Sequence, residues 1–184
     1  AWTGSGSATQ YAVSGGTGNI ADAAGTTATE LLKSVSTSRS DTTVTITTDI
    51  APTGGGVFIS AIGRQVGSVA YEGRAWISAS GAVQVQLLQS GTTIQAAVVS
   101  GVAYSPGMQL NLRVQVFGTS PTTIQAKLWP ATQAQPANWQ VSTTDSTAAL
   151  QAAGNVGLKA YLSGTASPSP VTMKFADYGV VAVP

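Results

Sequence analysis

Four short segments carry polar and aromatic side chains at every second position, the spacing that turns one face of a β-strand toward solvent. They are Glu72-x-Arg74-x-Trp76, Asn111-x-Arg113-x-Gln115, Gln125-x-Lys127-x-Trp129 and Lys159-x-Tyr161. A surface built from them mixes planar rings, forked guanidinium donors and amides. Sugars suit such a surface: their C–H faces pack on aromatic rings, and their hydroxyls take hydrogen bonds from Arg, Asn and Gln. An acidic glycan would suit Arg74, Arg113, Lys127 and Lys159 better still. The contact set read from these segments is Arg74, Trp76, Arg113, Lys127 and Tyr161. Trp129 and Trp139 read instead as core or loop-anchoring packing, and Trp2 as a staple for the N-terminal segment. Whether the four polar faces adjoin on one sheet is left open by the sequence.

The inventory for catalysis is thin. The chain has no His, no Cys and only two Glu, Glu30 and Glu72. Acid–base and nucleophilic chemistry draws mostly on His, thiolate or paired carboxylates. Glycoside hydrolysis needs two carboxylates, and Glu72, two residues from Arg74, reads as half of a surface ion pair. The five Asp fall mostly near turns or strand ends, where Asp caps backbone. A Ser nucleophile would need Lys as its base, and no Ser-x-x-Lys occurs. The expectation is a protein that is not an enzyme.

Charged residues make up 8% of the 184-residue chain, against about 25% in an average soluble protein. A net charge of +1 gives no field for a nucleic-acid backbone, and no Lys/Arg run addresses an anionic membrane. No run approaches the roughly 20 apolar residues of a membrane span. Zero Cys excludes disulfides and thiolate metal sites. The sequence, starting at Ala1, reads as a mature or excised module whose solubility rests on Ser, Thr, Gln and Asn.

The elements that must position these residues alternate with period two. Val44 to Ile50, Leu110 to Val116, Ile124 to Leu128 and Val156 to Leu162 each place apolar side chains on one face. Ser80-Gly81 divides Tyr71–Ile77 from Val83–Leu88 as a hairpin turn. Val57-Phe58-Ile59, apolar on both faces, reads as a central strand. Thr26–Val35 has some helix-forming residues but reads as a strand among uniformly β neighbours. Strand after strand predicts one all-β domain over 1–184, an antiparallel two-sheet jelly-roll sandwich.

Three segments carry a resemblance. They are Gly54 to Arg64 followed by Tyr71-Glu72-Gly73-Arg74, then Lys127-Leu128-Trp129-Pro130 with Gln135 to Trp139, then Gly154 to Leu158 with Phe175-Ala176-Asp177-Tyr178. Together they resemble the laminin-G-like, concanavalin A-type jelly-roll modules of actinobacterial secreted or cell-surface proteins and of their phages' tail proteins. The resemblance implies two curved sheets, with a glycan site on the concave one. It also implies a structural calcium near the chain ends, where Asp177 matches but its N-terminal carboxylate partner is missing. Enzymes of this fold carry a Glu-x-Asp-x-x-Glu strand or a Gln-Ile-His or Gln-Val-His strand, and this sequence has neither.

The combined expectation is a non-catalytic carbohydrate-binding or adhesion module of a larger extracellular or cell-surface protein, with polysaccharide or cell-surface glycan as partner and no cofactor beyond that calcium. The alternative is a structural protein–protein module of a phage tail or other particle, held by flanking domains. A polysaccharide hydrolase or lyase, acting through Glu72 or Tyr71, comes third.

Overall fold

The computed structural model describes residues 1–183 as two seven-stranded antiparallel sheets packed face to face. Sheet A runs, in spatial order, β1 (Trp2–Ser5), β4 (Thr27–Thr37), β13 (Gly154–Leu162), β6 (Val57–Val66), β7 (Val69–Ile77), β8 (Ala82–Gln89) and β9 (Thr92–Ala103). Sheet B runs β12 (Val141–Asp145), β11 (Thr122–Pro130), β10 (Leu110–Phe117), β5 (Arg39–Thr48), β14 (Val171–Ala182), β3 (Thr17–Asp22) and β2 (Tyr11–Ser14). This is the all-β jelly-roll sandwich that the alternation predicts. Thr26–Val35 forms most of β4, and β6, which holds Val57-Phe58-Ile59, is the middle strand of sheet A. The β7–β8 hairpin closes through Gly81, whose φ of +78° an L side chain rarely adopts.

The core fills the space between the sheets from alternate positions of both. Ile59, Ala75, Val85, Leu87 and Leu158 of sheet A meet Ile46, Leu112, Val114 and Leu128 of sheet B. Each large aliphatic side chain removed from water in this way contributes about 1.5–3 kcal/mol. The layers approach closely at Gly73, where a Cβ would lie 2.2 Å from Val114 Cγ2. That fit explains a glycine in the middle of a strand.

One end of the sandwich is pinned by Arg64, which is fully buried. A register shift between Ile62 and Arg64 turns its side chain across the interlayer. Nη1 donates to Thr122 Oγ1 (2.8 Å) and to the Leu150 carbonyl (2.9 Å). Nη2 donates to the carbonyls of Gly118 (3.0 Å) and Ser38.

The outer face of sheet A has no third layer over it. Yet Ser60, Ile62, Glu72 and Leu88, which point outward, are at most 2% exposed. Ile62 and Leu88 also lie outside the inter-sheet core cluster. Side chains on an uncovered face bury one another in this way when the sheet curves toward that face. The result is a cleft of about 400 Å³ whose walls include Thr3, Leu31, Gln65, Glu72, Ser90 and Lys159.

Candidate functional site: the cleft face of sheet A

Strand register arranges the outward side chains of sheet A in rows that cross the sheet. In one row, Tyr161 of β13 opposes Phe58 of β6, which opposes Trp76 of β7, which opposes Gln84 of β8. The next row holds Lys159, Ser60, Arg74 and Gln86, and the third brings Ile62, Glu72 and Leu88 together. Adjacent strands lie about 4.8 Å apart, so three consecutive strands give a ribbon of rings roughly 10 Å long.

The geometry of the ring row is fixed. Phe58 and Trp76 are 6.0 Å apart with planes 8° from parallel, and Phe58 and Tyr161 are 5.5 Å apart at 39°. Trp76 Nε1 donates to the Gly55 carbonyl at 2.9 Å, which sets the rotation of the indole. Arg74 lies over Phe58, its guanidinium carbon 5.0 Å from the ring centre. Gln86 Oε1 accepts from Arg74 Nε (2.8 Å) and Nη2 (2.6 Å), and Thr93 Oγ1 accepts from Nη2 (3.1 Å). Nη1 has no hydrogen-bond partner among the described residues and remains available to a ligand. Burial pulls the Arg74 guanidinium below its ordinary pKa range, and the charge of Glu72 opposes that shift.

Glu72 is not the surface partner of Arg74. Its carboxylate lies on the cleft floor and accepts from Lys159 Nζ at 2.9 Å, across β6. The expected surface ion pair is thus a part-buried one, with Glu72 buried and Lys159 partly exposed, joined by a residue 87 positions away. Tyr71 points the other way, into the interlayer, where its fully buried phenol donates to Asp145 Oδ1. Burial first, then Asp145, pushes that phenol up to about 12. Tyr71 therefore does not share a face with Glu72.

The five residues read as one contact set lie on two faces. Arg74, Trp76 and Tyr161 adjoin on the outer face of sheet A, beside the cleft, while Arg113 of β10 and Lys127 of β11 lie on the outer face of sheet B, across the core. There they clamp the segment 131–140. Arg113 donates to Asp41 through Nε (2.9 Å) and Nη2 (2.5 Å), and Gln115 Nε2 donates to Asp41 Oδ2 at 2.7 Å. Lys127 Nζ donates to the Pro136 carbonyl at 2.8 Å. With its amide oriented to satisfy both donors, Gln135 accepts from Arg113 Nη1 and Lys127 Nζ, each at 2.7 Å. Trp139 packs beneath both cations, 5.5 and 4.6 Å away. Burial raises Asp41, but the bonds from Arg113 and Gln115 outweigh it and hold the carboxyl below the ordinary range. Trp139 anchors this loop and Trp129 is 7% exposed, in keeping with packing roles.

Asp177 sits at a register shift of β14 with φ +51°. It is exposed and accepts from Thr45 Oγ1 at 3.4 Å. Its surroundings, Thr43, Thr45, Asn111 and Gln135, offer neutral oxygens only. No group of three or more His, Cys, Asp or Glu side chains able to hold a metal occurs among the described residues. One carboxylate among hydroxyls and amides does not match calcium, which takes roughly six to eight oxygens, commonly including several carboxylates.

Sequence reasoning missed Phe58, Gln84 and Gln86 as residues of this face. Phe58 read as core because Val57 and Ile59 flank it, yet it shares parity with Ser60, a polar residue. The alternation Val83-Gln84-Val85-Gln86-Leu87 likewise marks a wet face on β8.

No protein-family model matches this chain, and no curated protein matches it. Solved structures of the same fold do. The chain is similar to the carbohydrate-binding module CBM66 from Bacillus subtilis, with a TM-score of 0.62 and 14% identity over 98% of this chain and 95% of that one. It is similar to a beta-glucanase of Bacillus licheniformis, with a TM-score of 0.60 and 10% identity over 100% and 92%. It is also similar to a legume lectin-like domain from Entamoeba histolytica, with a TM-score of 0.59 and 10% identity over 100% and 90%. At these identities the likeness is one of fold, a concanavalin A-like sandwich.

Proposed function

We propose that the cleft face of sheet A is a non-catalytic glycan-binding surface, and that the chain is a carbohydrate-binding module of an extracellular or cell-surface protein. The observation that carries this reading is the ring row Tyr161–Phe58–Trp76 beside the polar row Lys159–Ser60–Arg74–Gln86. A sugar chain lying along the rows would pack its C–H groups on the rings and direct hydroxyls to Arg74, Gln84 and Lys159. A carbohydrate-binding module and a lectin-like domain among proteins of this fold support the same reading.

The distribution of acids supports the non-catalytic part. Of the seven Asp and Glu, Glu72 alone faces the cleft among the described residues. Asp22, Asp41, Asp145 and Asp177 belong to strands of sheet B, and Asp49 follows β5. Glu30 shares its parity with Ala28 and faces the interlayer. A pair of carboxyls about 5–9.5 Å apart around one glycosidic bond is therefore missing from this face.

A glycan array that includes bacterial cell-wall polysaccharides, run alongside an assay for released reducing or unsaturated ends, tests the proposal. Specific retention without product is the expected result. Product release lost on Glu72→Gln would replace the binding module with an enzyme, and a clean array with folded protein would overturn the glycan reading.

A second reading rests on β9. From Ala75 to Leu112 no residue is charged, and β9 is an edge strand that exposes Ile94 and Val98. Edge strands of monomers usually carry charges that block pairing with another chain. This edge favours a structural module joined to neighbouring subunits of a particle, and concentration-dependent assembly lost on Val98→Lys would support it.

A further inference from the structure

At the opposite edge of the sandwich, the sheets part around a second cavity of about 460 Å³. It lies between β1 and β4 on one side and β2, β3 and β14 on the other. Its walls are mostly aromatic and aliphatic: Trp2, Tyr11, Leu158, Phe175 and Tyr178. Trp2 and Tyr178 meet edge to face at 4.9 Å. Into this apolar setting projects a carboxylate, that of Glu30.

The placement of Glu30 is anomalous. On β4 it opposes Leu158 of β13 and Gly4 of β1, in the parity that points into the interlayer. Gly4 is what makes room for it, since a Cβ there would lie 2.2 Å from Glu30 Oε1. The carboxylate has no hydrogen bond and no ion pair among the described residues. None of the eight Lys and Arg lines the cavity. Partial burial pushes the Glu30 carboxyl above its ordinary pKa range. The Tyr178 hydroxyl is a second polar group here, buried and without a partner. An unpaired anion is costly among apolar walls, and a cationic ligand would offset that cost.

We propose that this edge cavity binds an organic ammonium ion. Glu30 supplies the counter-charge, and Trp2, Tyr11 and Tyr178 supply the electron-rich rings. A cation among rings is drawn by their quadrupoles, and most strongly by that of Trp. The combination selects for positive charge, since a neutral molecule of the same shape would leave Glu30 unpaired. The site lies on the interlayer side of β4, away from the cleft, and is independent of the glycan reading.

The test uses the full chain and two cation–isostere pairs: choline against 3,3-dimethylbutan-1-ol, and butylammonium against butan-1-ol. The readout is the indole N–H resonance of Trp2, assigned with Trp2→Phe, followed through a titration. The proposal expects a saturable shift with at least one cation and binding of its neutral isostere about tenfold weaker or worse. Glu30→Gln should weaken cation binding by a similar factor, and Trp76→Ala should leave it unchanged. Should Glu30→Gln fail to fold, Gly4→Ala serves instead: it keeps the charge, displaces the carboxylate and is expected to weaken binding too. Absence of a saturable shift with both cations, equal binding of cation and isostere, or full binding by Glu30→Gln would each overturn the proposal.

Discussion

Phe58 and Trp76 face each other across neighbouring strands, 6.0 Å apart and within 8° of parallel, with Arg74 held over the Phe58 ring. Three side chains from two strands thus form one rigid unit. Removing Phe58 would strip Trp76 of its stacking partner and Arg74 of its cation–π contact. Phe58→Ala is predicted to weaken glycan binding by about tenfold, more than the loss of one exposed ring, because it loosens both neighbours. Titration calorimetry with the strongest array ligand checks this.

Arg64 makes a prediction about stability. Four oxygen acceptors from three separate segments depend on its guanidinium. Arg64→Met would fill much of the volume but take the guanidinium donors from these acceptors, of which the Gly118 carbonyl keeps the Thr122 hydroxyl. The expected cost is about 3–5 kcal/mol, which in a domain of this size lowers Tm by roughly 10 °C. Calorimetric melting of the two proteins gives the answer, and an unchanged Tm would remove Arg64 from its role as a pillar.

Asp22 makes one about pH. It is fully buried, accepts from Gln10 Nε2 at 3.0 Å, and leaves Oδ2 without a partner. Burial raises its pKa to about 6, against about 3.9 in an unfolded chain. The folded state therefore binds this proton more tightly than the unfolded state. The resulting stabilisation is complete below about pH 4 and is lost as pH rises through 6. Asp22→Asn is predicted to be more stable than the parent by about 2 kcal/mol at pH 7, with the difference closing toward pH 4. Urea denaturation at pH 4, 5.5 and 7 follows it directly.

The clamp on sheet B makes a local prediction. Arg113 and Lys127 hold segment 131–140 through Gln135, Pro136 and Trp139. Lys127→Ala should raise amide hydrogen exchange in that segment by about tenfold while leaving β6 and β7 protected. Uniform acceleration across the chain would mean that the clamp supports the whole fold.

What the sequence made legible follows from what is local. Period-two alternation is a property of each strand alone, so β5, β10, β11 and β13 could be read from their own residues. The turn at Ser80-Gly81 is equally local. Arg74 and Trp76 share a face by the same parity. Which faces adjoin depends on strand order, and strand order is set by packing between distant segments. Tyr161 joins Phe58 only because β13 inserts beside β6, about a hundred residues earlier in the chain. Arg113 and Lys127 have the same residue types and spacing as the cleft residues, yet β10 and β11 pair in the other sheet. Polarity alone cannot tell a ligand-facing arginine from one that clamps a loop. The part-buried Glu72–Lys159 pair was hidden for the same reason, since Arg74 stands nearer to Glu72 in sequence.

The central claim is that glycan binds the cleft face of sheet A and not the clamped face of sheet B. Comparing Trp76→Ala with Arg113→Ala, by titration calorimetry against the strongest array ligand, tests it most directly. The account predicts that Trp76→Ala weakens binding at least about tenfold and that Arg113→Ala stays within about twofold of the parent. Loss of binding in Arg113→Ala with Trp76→Ala unaffected would contradict it and move the site to the opposite face.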